Sequence, residues 1–152
     1  TEENFKKTVK SMTTLNRTAS EVMRKYGVSA CTDVTGFGLL GHLKEMLNDK
    51  FSAIVSVNKL PIIDGAYEYA QQFLTTGGGQ KNREYLEGSI DFKIDDYAME
   101  EILYDPQTSG GLLISISEDK ALSLVKELRE KGVTANDIGV ITDKQEYSIK
   151  VN

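Results

Sequence analysis

The sequence predicts a mixed, layered α/β domain. Short apolar runs of strand character alternate with amphipathic helical stretches, glycine-rich turns punctuate the alternation, and no internal repeat organises it. At 152 residues the chain suits one ordinary domain built around one core.

From Phe5 the apolar positions Val9, Met12, Leu15, Ala19, Val22, Met23 and Tyr26 recur at threes and fours. That spacing predicts one long helix with one buried face, closed by Gly27 as a left-handed cap. Residues 28–32 read as a short buried strand. Residues 33–42 then read as a strand end, a glycine-rich turn and a helix start, and the helix continues through Leu43, Met46 and Leu47 to Asn48 and Asp49. Residues 52–58 alternate as a strand, which Pro61 prevents from continuing. A helix is expected over 64–74, with Ala66, Tyr69, Ala70 and Phe73 on one face. Residues 75–79 are a loop by composition. A short strand over 90–93 and a short helix over 97–103 precede a second glycine loop, 105–111. The strand 112–117 leads into an amphipathic helix carrying Ala121, Leu122, Leu124, Val125 and Leu128. Glu118 and Asp119 favour its positive end, and Gly132 follows its finish. Final strands are expected over 138–142 and 147–151.

Composition narrows the function. With 39% hydrophobic and 27% charged residues, the chain has the balance of a folded globular protein. Acidic residues outnumber basic ones 23 to 18, and no basic stripe tracks a phosphate backbone, which argues against a nucleic-acid partner. Without a long apolar run or a basic-then-apolar leader, no membrane segment or secretory signal is expected, and the cytoplasm is the default location. Cys31 is the single cysteine, which excludes an internal disulfide and a zinc site of several thiolates and suits a reducing compartment. The chain enters an amphipathic helix at once from Thr1, as a segment of a longer protein would.

Chemistry concentrates in two places. In the first, Asp33 ends a strand ahead of Thr35, Gly36 and Gly38, whose turn lets backbone amides approach phosphate, and the carboxylate suits magnesium, which prefers oxygen ligands. The plainer alternative is that Asp33 caps the turn and the glycines serve tight packing. Neither the Walker phosphate loop nor the dinucleotide fingerprint fits the spacing. In the second place Asp105, Thr108 and Ser109 can offer oxygens to phosphate or simply cap their loop. His42 falls one turn into the helix and faces either a ligand or the sheet. Lys81 and Arg83 can meet anions or stay solvated. Cys31, inside a strand, reads as a small apolar residue rather than a nucleophile, and the tyrosines at 67, 69, 97 and 104 as packing groups.

The run ACTDVTGFGLLGHL from Ala30 to Leu43 closely resembles the hallmark of the selenophosphate synthetases, also called selenide, water dikinases. DPQTSGGLL from Asp105 to Leu113 resembles the same family's second carboxy-terminal motif, and Met12-Thr13-Thr14-Leu15-Asn16 is similar to the segment that precedes the first. The aminoimidazole ribonucleotide synthetases, thiamine-monophosphate kinases and hydrogenase maturation proteins of the same superfamily carry different residues around the turn. One departure stands out: the family reads Pro-Gly-Gly-Thr followed by Asn, whereas this chain reads Thr76-Gly77-Gly78-Gly79-Gln80-Lys81-Asn82.

The resemblance implies a three-layer α/β/α carboxy-terminal domain with a mixed sheet, distantly ferredoxin-like. It implies an enzyme that converts ATP, selenide and water to selenophosphate, AMP and orthophosphate. Asp33 matches the family's carboxy-terminal magnesium-binding aspartate. The catalytic lysine, the cysteine or selenocysteine and the other metal carboxylates belong to the amino-terminal domain, which is absent and which also carries most of the parent's homodimer contact. No catalytic residue is therefore assigned to this chain, and alone it is expected to be inactive. The contrasting expectation is a non-catalytic nucleotide-binding or interaction module of the same fold.

Overall fold

The computed structural model describes residues 1–152. Its first apolar periodicity forms two helices rather than the single one expected: α1 (Glu2–Thr13) and α2 (Arg17–Met23), the second followed by a 3-10 turn over Arg24–Tyr26. The break has a local cause. The Thr13 hydroxyl bonds back to the Val9 carbonyl at 2.9 Å and that of Thr14 to the Lys10 carbonyl at 2.6 Å, and Thr14 turns extended. Hydroxyls that compete for helix carbonyls bend or end helices. Asn16 then donates through Nδ2 to the Gly110 carbonyl at 3.0 Å. Ala19 and Val22 of α2 are buried, whereas no residue of α1 is. Gly27, at φ 67°, closes the 3-10 turn as the left-handed cap expected of it.

Two sheets follow. Strand β1 (Ala30–Asp33) pairs antiparallel with β4 (Leu112–Ser115), setting Asp33 opposite Leu112. The larger sheet contains β2 (Phe51–Val55), β3 (Ile90–Phe92), β5 (Gly139–Asp143) and β6 (Ile149–Val151) in the order β3-β6-β2-β5. Strand β6 runs parallel to both neighbours and β5 antiparallel to β2, so the sheet is mixed. The α/β class with a mixed sheet is therefore the observed one. Ala53, Val55, Ile149 and Val151 alternate inward from the sheet, as a two-residue period requires.

One core was expected, and there are two clusters. The larger joins Leu40, Leu43 and Leu47 of α3 (Gly38–Leu47) and Leu103 and Tyr104 of α6 (Tyr97–Tyr104) to those four strand residues. The smaller packs Ala19 and Val22 against Leu124 and Leu128 of α7 (Glu118–Glu130), over the two-stranded β1–β4 ladder. The division arises because β1 and β4 form their own ladder instead of joining the larger sheet.

The helix α4 (Ala66–Gln71) is shorter than expected. Residues 75–79 contain a larger surprise, since Gly77 opens helix α5 (Gly77–Tyr85). Three glycines are poor helix formers, but tertiary contacts outweigh propensity here. Thr76 caps the end, its hydroxyl accepting from the Gly79 N–H at 3.1 Å. Arg83 fixes the helix to α6 through Glu100 at 2.8 Å and Glu101 at 2.7 Å. No helix of the structure is long and apolar enough to cross a membrane.

Leu40 is fully buried at the centre of the larger cluster. Leu40→Ala is expected to cost about 2–5 kcal/mol in urea unfolding through lost transfer energy and a residual cavity; a cost under about 1 kcal/mol would show that α3 does not anchor this core.

Candidate functional site

Three backbone segments converge at one end of the fold: the turn from Val34 to Phe37, the start of α5, and the second glycine loop. Asn82 of α5 joins them. Its buried side-chain amide donates to the Gly36 carbonyl at 3.0 Å and to the Tyr104 carbonyl at 2.8 Å. The Gln107 N–H donates to the Thr35 carbonyl at 2.9 Å and the Val34 N–H to the Gly111 carbonyl at 3.0 Å. Glycine is required where these segments touch. Gly38 sits at φ 68°, and a Cβ there would lie 2.8 Å from the Tyr104 carbonyl oxygen. A Cβ on Gly110 would overlap the Val34 carbonyl.

His42 resolves in favour of structure. The Phe37 N–H donates to its Nε2 at 3.3 Å, and the Thr35 hydroxyl lies 3.0 Å from the same nitrogen. Because Nε2 accepts, the hydrogen sits on Nδ1, 3.2 Å from a Glu45 carboxylate oxygen. The histidine locks the turn, and the Thr35 hydroxyl is turned toward it rather than toward a ligand. What the turn leaves open is its backbone: Gly36 is exposed, with nothing within 4 Å of where a Cβ would stand.

Asp33 is exposed at the end of β1, and its carboxylate has neither a cation nor a hydrogen-bond donor. It borders a shallow groove of about 570 Å³ shared with Asn16, Arg17, Ser20, Cys31 and Leu112. No three His, Cys, Asp or Glu side chains cluster closely enough to hold a metal ion. Magnesium is commonly held by one or two carboxylates together with phosphate oxygens and water. A single free carboxylate therefore fits a shared ion and does not fit one held by this chain alone.

Asp105, half-buried, accepts from the Thr76 hydroxyl at 3.0 Å and from Gln107 Nε2 at 3.3 Å. Burial pushes its carboxyl above the usual range, the Thr76 bond opposing that shift and nearby Glu101 adding to it. Thr108 and Ser109 are exposed, with Ser109 at φ 55°. The expected set is thus only partly assembled: Thr35, Gly36, Gly38 and Asp105 meet, while Asp33 opens onto the groove bordered by α2. Arg83 is not free for phosphate, because two glutamates and the Tyr104 ring, 4.6 Å away, engage it. Burial, with Asp33 adding, pushes the Cys31 thiol up, against a nucleophilic role. Thr76, Gln107 and Asn16, each bonded across loops, were not among the expected site residues. Only the Thr76-to-Gly79 spacing, a helix-capping pattern, carried a sequence signal for one of them.

A family model described as "AIR synthase related protein, C-terminal domain" matches residues 2–152. The selenide, water dikinase of Carboxydothermus hydrogenoformans is 51% identical over 143 residues, covering 93% of this chain and 41% of that protein. That of Caldanaerobacter subterraneus subsp. tengcongensis is 45% identical over 154 residues, covering 98% and 44%. The chain thus spans about two fifths of the length of the curated relatives it matches. Among solved structures, a thiamine-monophosphate kinase from Stenotrophomonas maltophilia superposes with a TM-score of 0.51 at 22% identity, over 86% of this chain and 33% of that one. That likeness concerns the fold.

Two outcomes follow from the loop contacts. Asn82→Ala strips the donor from two carbonyls and is expected to destabilise the chain by about 1–3 kcal/mol; unchanged urea unfolding would show that the loops hold without it. Asp105 contributes most to stability when protonated, below its unfolded value, and that contribution is lost as pH rises through its raised folded value. The stability of Asp105→Asn relative to the unsubstituted chain is therefore expected to improve as pH rises above the ordinary carboxylate value and through the raised folded one, and a difference independent of pH would contradict the burial of the charge.

Proposed function

The chain belongs to the AIR synthase related proteins as a C-terminal domain, and on that premise we propose that it is the carboxy-terminal part of a selenide, water dikinase. The reaction converts ATP, selenide and water to selenophosphate, AMP and orthophosphate. The observation that carries the reading is Asp33: an exposed carboxylate that forms no ion pair, inside the segment that resembles the family hallmark and three residues before the open Gly36 in sequence. The curated relatives are named as selenide, water dikinases, and the products are those that the resemblance to that family implies.

Magnesium, when bound, neutralises phosphate oxygens as the anhydride bonds break. Asp33 would supply one oxygen ligand to that ion. At the turn, Gly36 offers its open backbone to phosphate, the turn being kept in shape by His42 from within and Asn82 from behind. Asp105, Thr108 and Ser109 form the facing rim. The remaining carboxylates and the attacking groups come from the amino-terminal domain, so this chain alone contributes positioning and part of the metal shell, and it is inactive without that domain. Such a shared site loses most of its ligands when the domains are separated. The parent is a cytoplasmic homodimer joined mainly through the amino-terminal domain.

Phosphorus NMR of the full-length protein with ATP, magnesium and selenide tests this. Selenophosphate and AMP are expected from the unsubstituted protein, and Asp33→Asn is expected to lower their rate by roughly two orders of magnitude without changing thermal stability. Full activity with unaltered magnesium dependence in Asp33→Asn would remove the metal assignment, and a folded full-length protein that never forms AMP would leave a binding module.

A further inference from the structure

Helix α1 packs with its polar side. Asn4 abuts Gly65, and the Lys7 ammonium meets Asp64 at 2.8 Å. Phe5, Val9 and Met12, at spacings of four and three, share a different face, and that face is open: Phe5 is 69% exposed and the following Leu15 79%. A twelve-residue helix with no buried residue has little stability of its own. Its apolar stripe therefore lacks its partner in this chain.

We infer that the stripe Phe5–Val9–Met12–Leu15 is the seat of the amino-terminal domain of the full-length protein, and so one wall of the cleft that Asp33 enters. The inference rests on the proposed two-domain enzyme. More than half the length of the curated relatives lies outside the matched region, and the matched model is a C-terminal domain, so the missing part is joined on the side of α1. Four side chains fall far short of the roughly 20–30 residues per side of a stable interface between separate molecules. A covalent connection removes that requirement, because effective concentrations reach the millimolar range across short linkers. The stripe also ends beside the site: Leu15 precedes Asn16, which holds Gly110 and borders the groove of Asp33.

Hydrogen exchange of the full-length protein, without ligands, reads this directly. Amides of α1 are expected to exchange at least tenfold more slowly in the unsubstituted protein than in the double variant Phe5→Ser, Val9→Ser, with the strands of the four-stranded sheet equally protected in both. Equal exchange of α1 in the two proteins overturns the inference. Protection that disappears on dilution also overturns it, since a second copy would then be the partner. Protected α1 in a protein that forms no AMP would keep the interface and sink the enzymatic reading, whereas AMP formation with unprotected α1 would do the reverse.

Discussion

The site end of this fold depends on the two hydrogen bonds of the Asn82 amide. One carbonyl it binds belongs to the first glycine turn and the other to the last residue of α6, so a single buried side chain sets the distance between segments far apart in sequence. Both bonds form away from competing water, where an unpaired carbonyl costs more than the bond itself contributes. Asn82 is in turn held because its neighbour Arg83 is clamped by Glu100 and by the buried Glu101, which Gln80 also contacts at 2.8 Å. A buried ion pair is weak evidence for net stability; here its effect is to orient α5.

Under the proposed function, a chain with so little acidic clustering would serve phosphate chemistry through that arrangement. Its contribution is shape: an open backbone at Gly36, a turn stiffened by His42, and two carboxylates of opposite character. Asp33 stands in water without a partner, while Asp105 is held in a partly desolvated loop that raises its proton affinity. The two hydrophobic clusters support this division, the larger one fixing α3 and α6 behind the turn and the smaller one fixing α2 beneath the groove.

Much of this was legible in the sequence where pattern and tertiary structure agree. The amphipathic periodicity ending at Leu128 corresponds to α7, the alternation expected over 52–58 is strand only to Val55 before Val57–Lys59 turn as a 3-10 helix, and Gly27 caps as its position suggests. Pattern failed where long-range contacts decide. The periodicity running from Val9 to Tyr26 shows no interruption, but two threonine hydroxyls and the pull of Gly110 on Asn16 break it. Composition made residues 77–79 a loop, yet a helix starts there under Thr76. Both ambiguities over His42 and Arg83 needed coordinates, since their partners are a turn amide in one case and a neighbouring helix in the other. The place of Asp33 was readable, since it ends a strand ahead of a glycine turn as the pattern suggests.

The central claim is that this domain lends one carboxylate to a metal shared with the rest of the protein. A crystal structure of the full-length protein with magnesium and a non-hydrolysable ATP analogue tests it most directly. An Asp33 carboxylate oxygen is expected about 2.1 Å from a magnesium ion that also touches phosphate. A fully ligated ion with Asp33 left in solvent would contradict it.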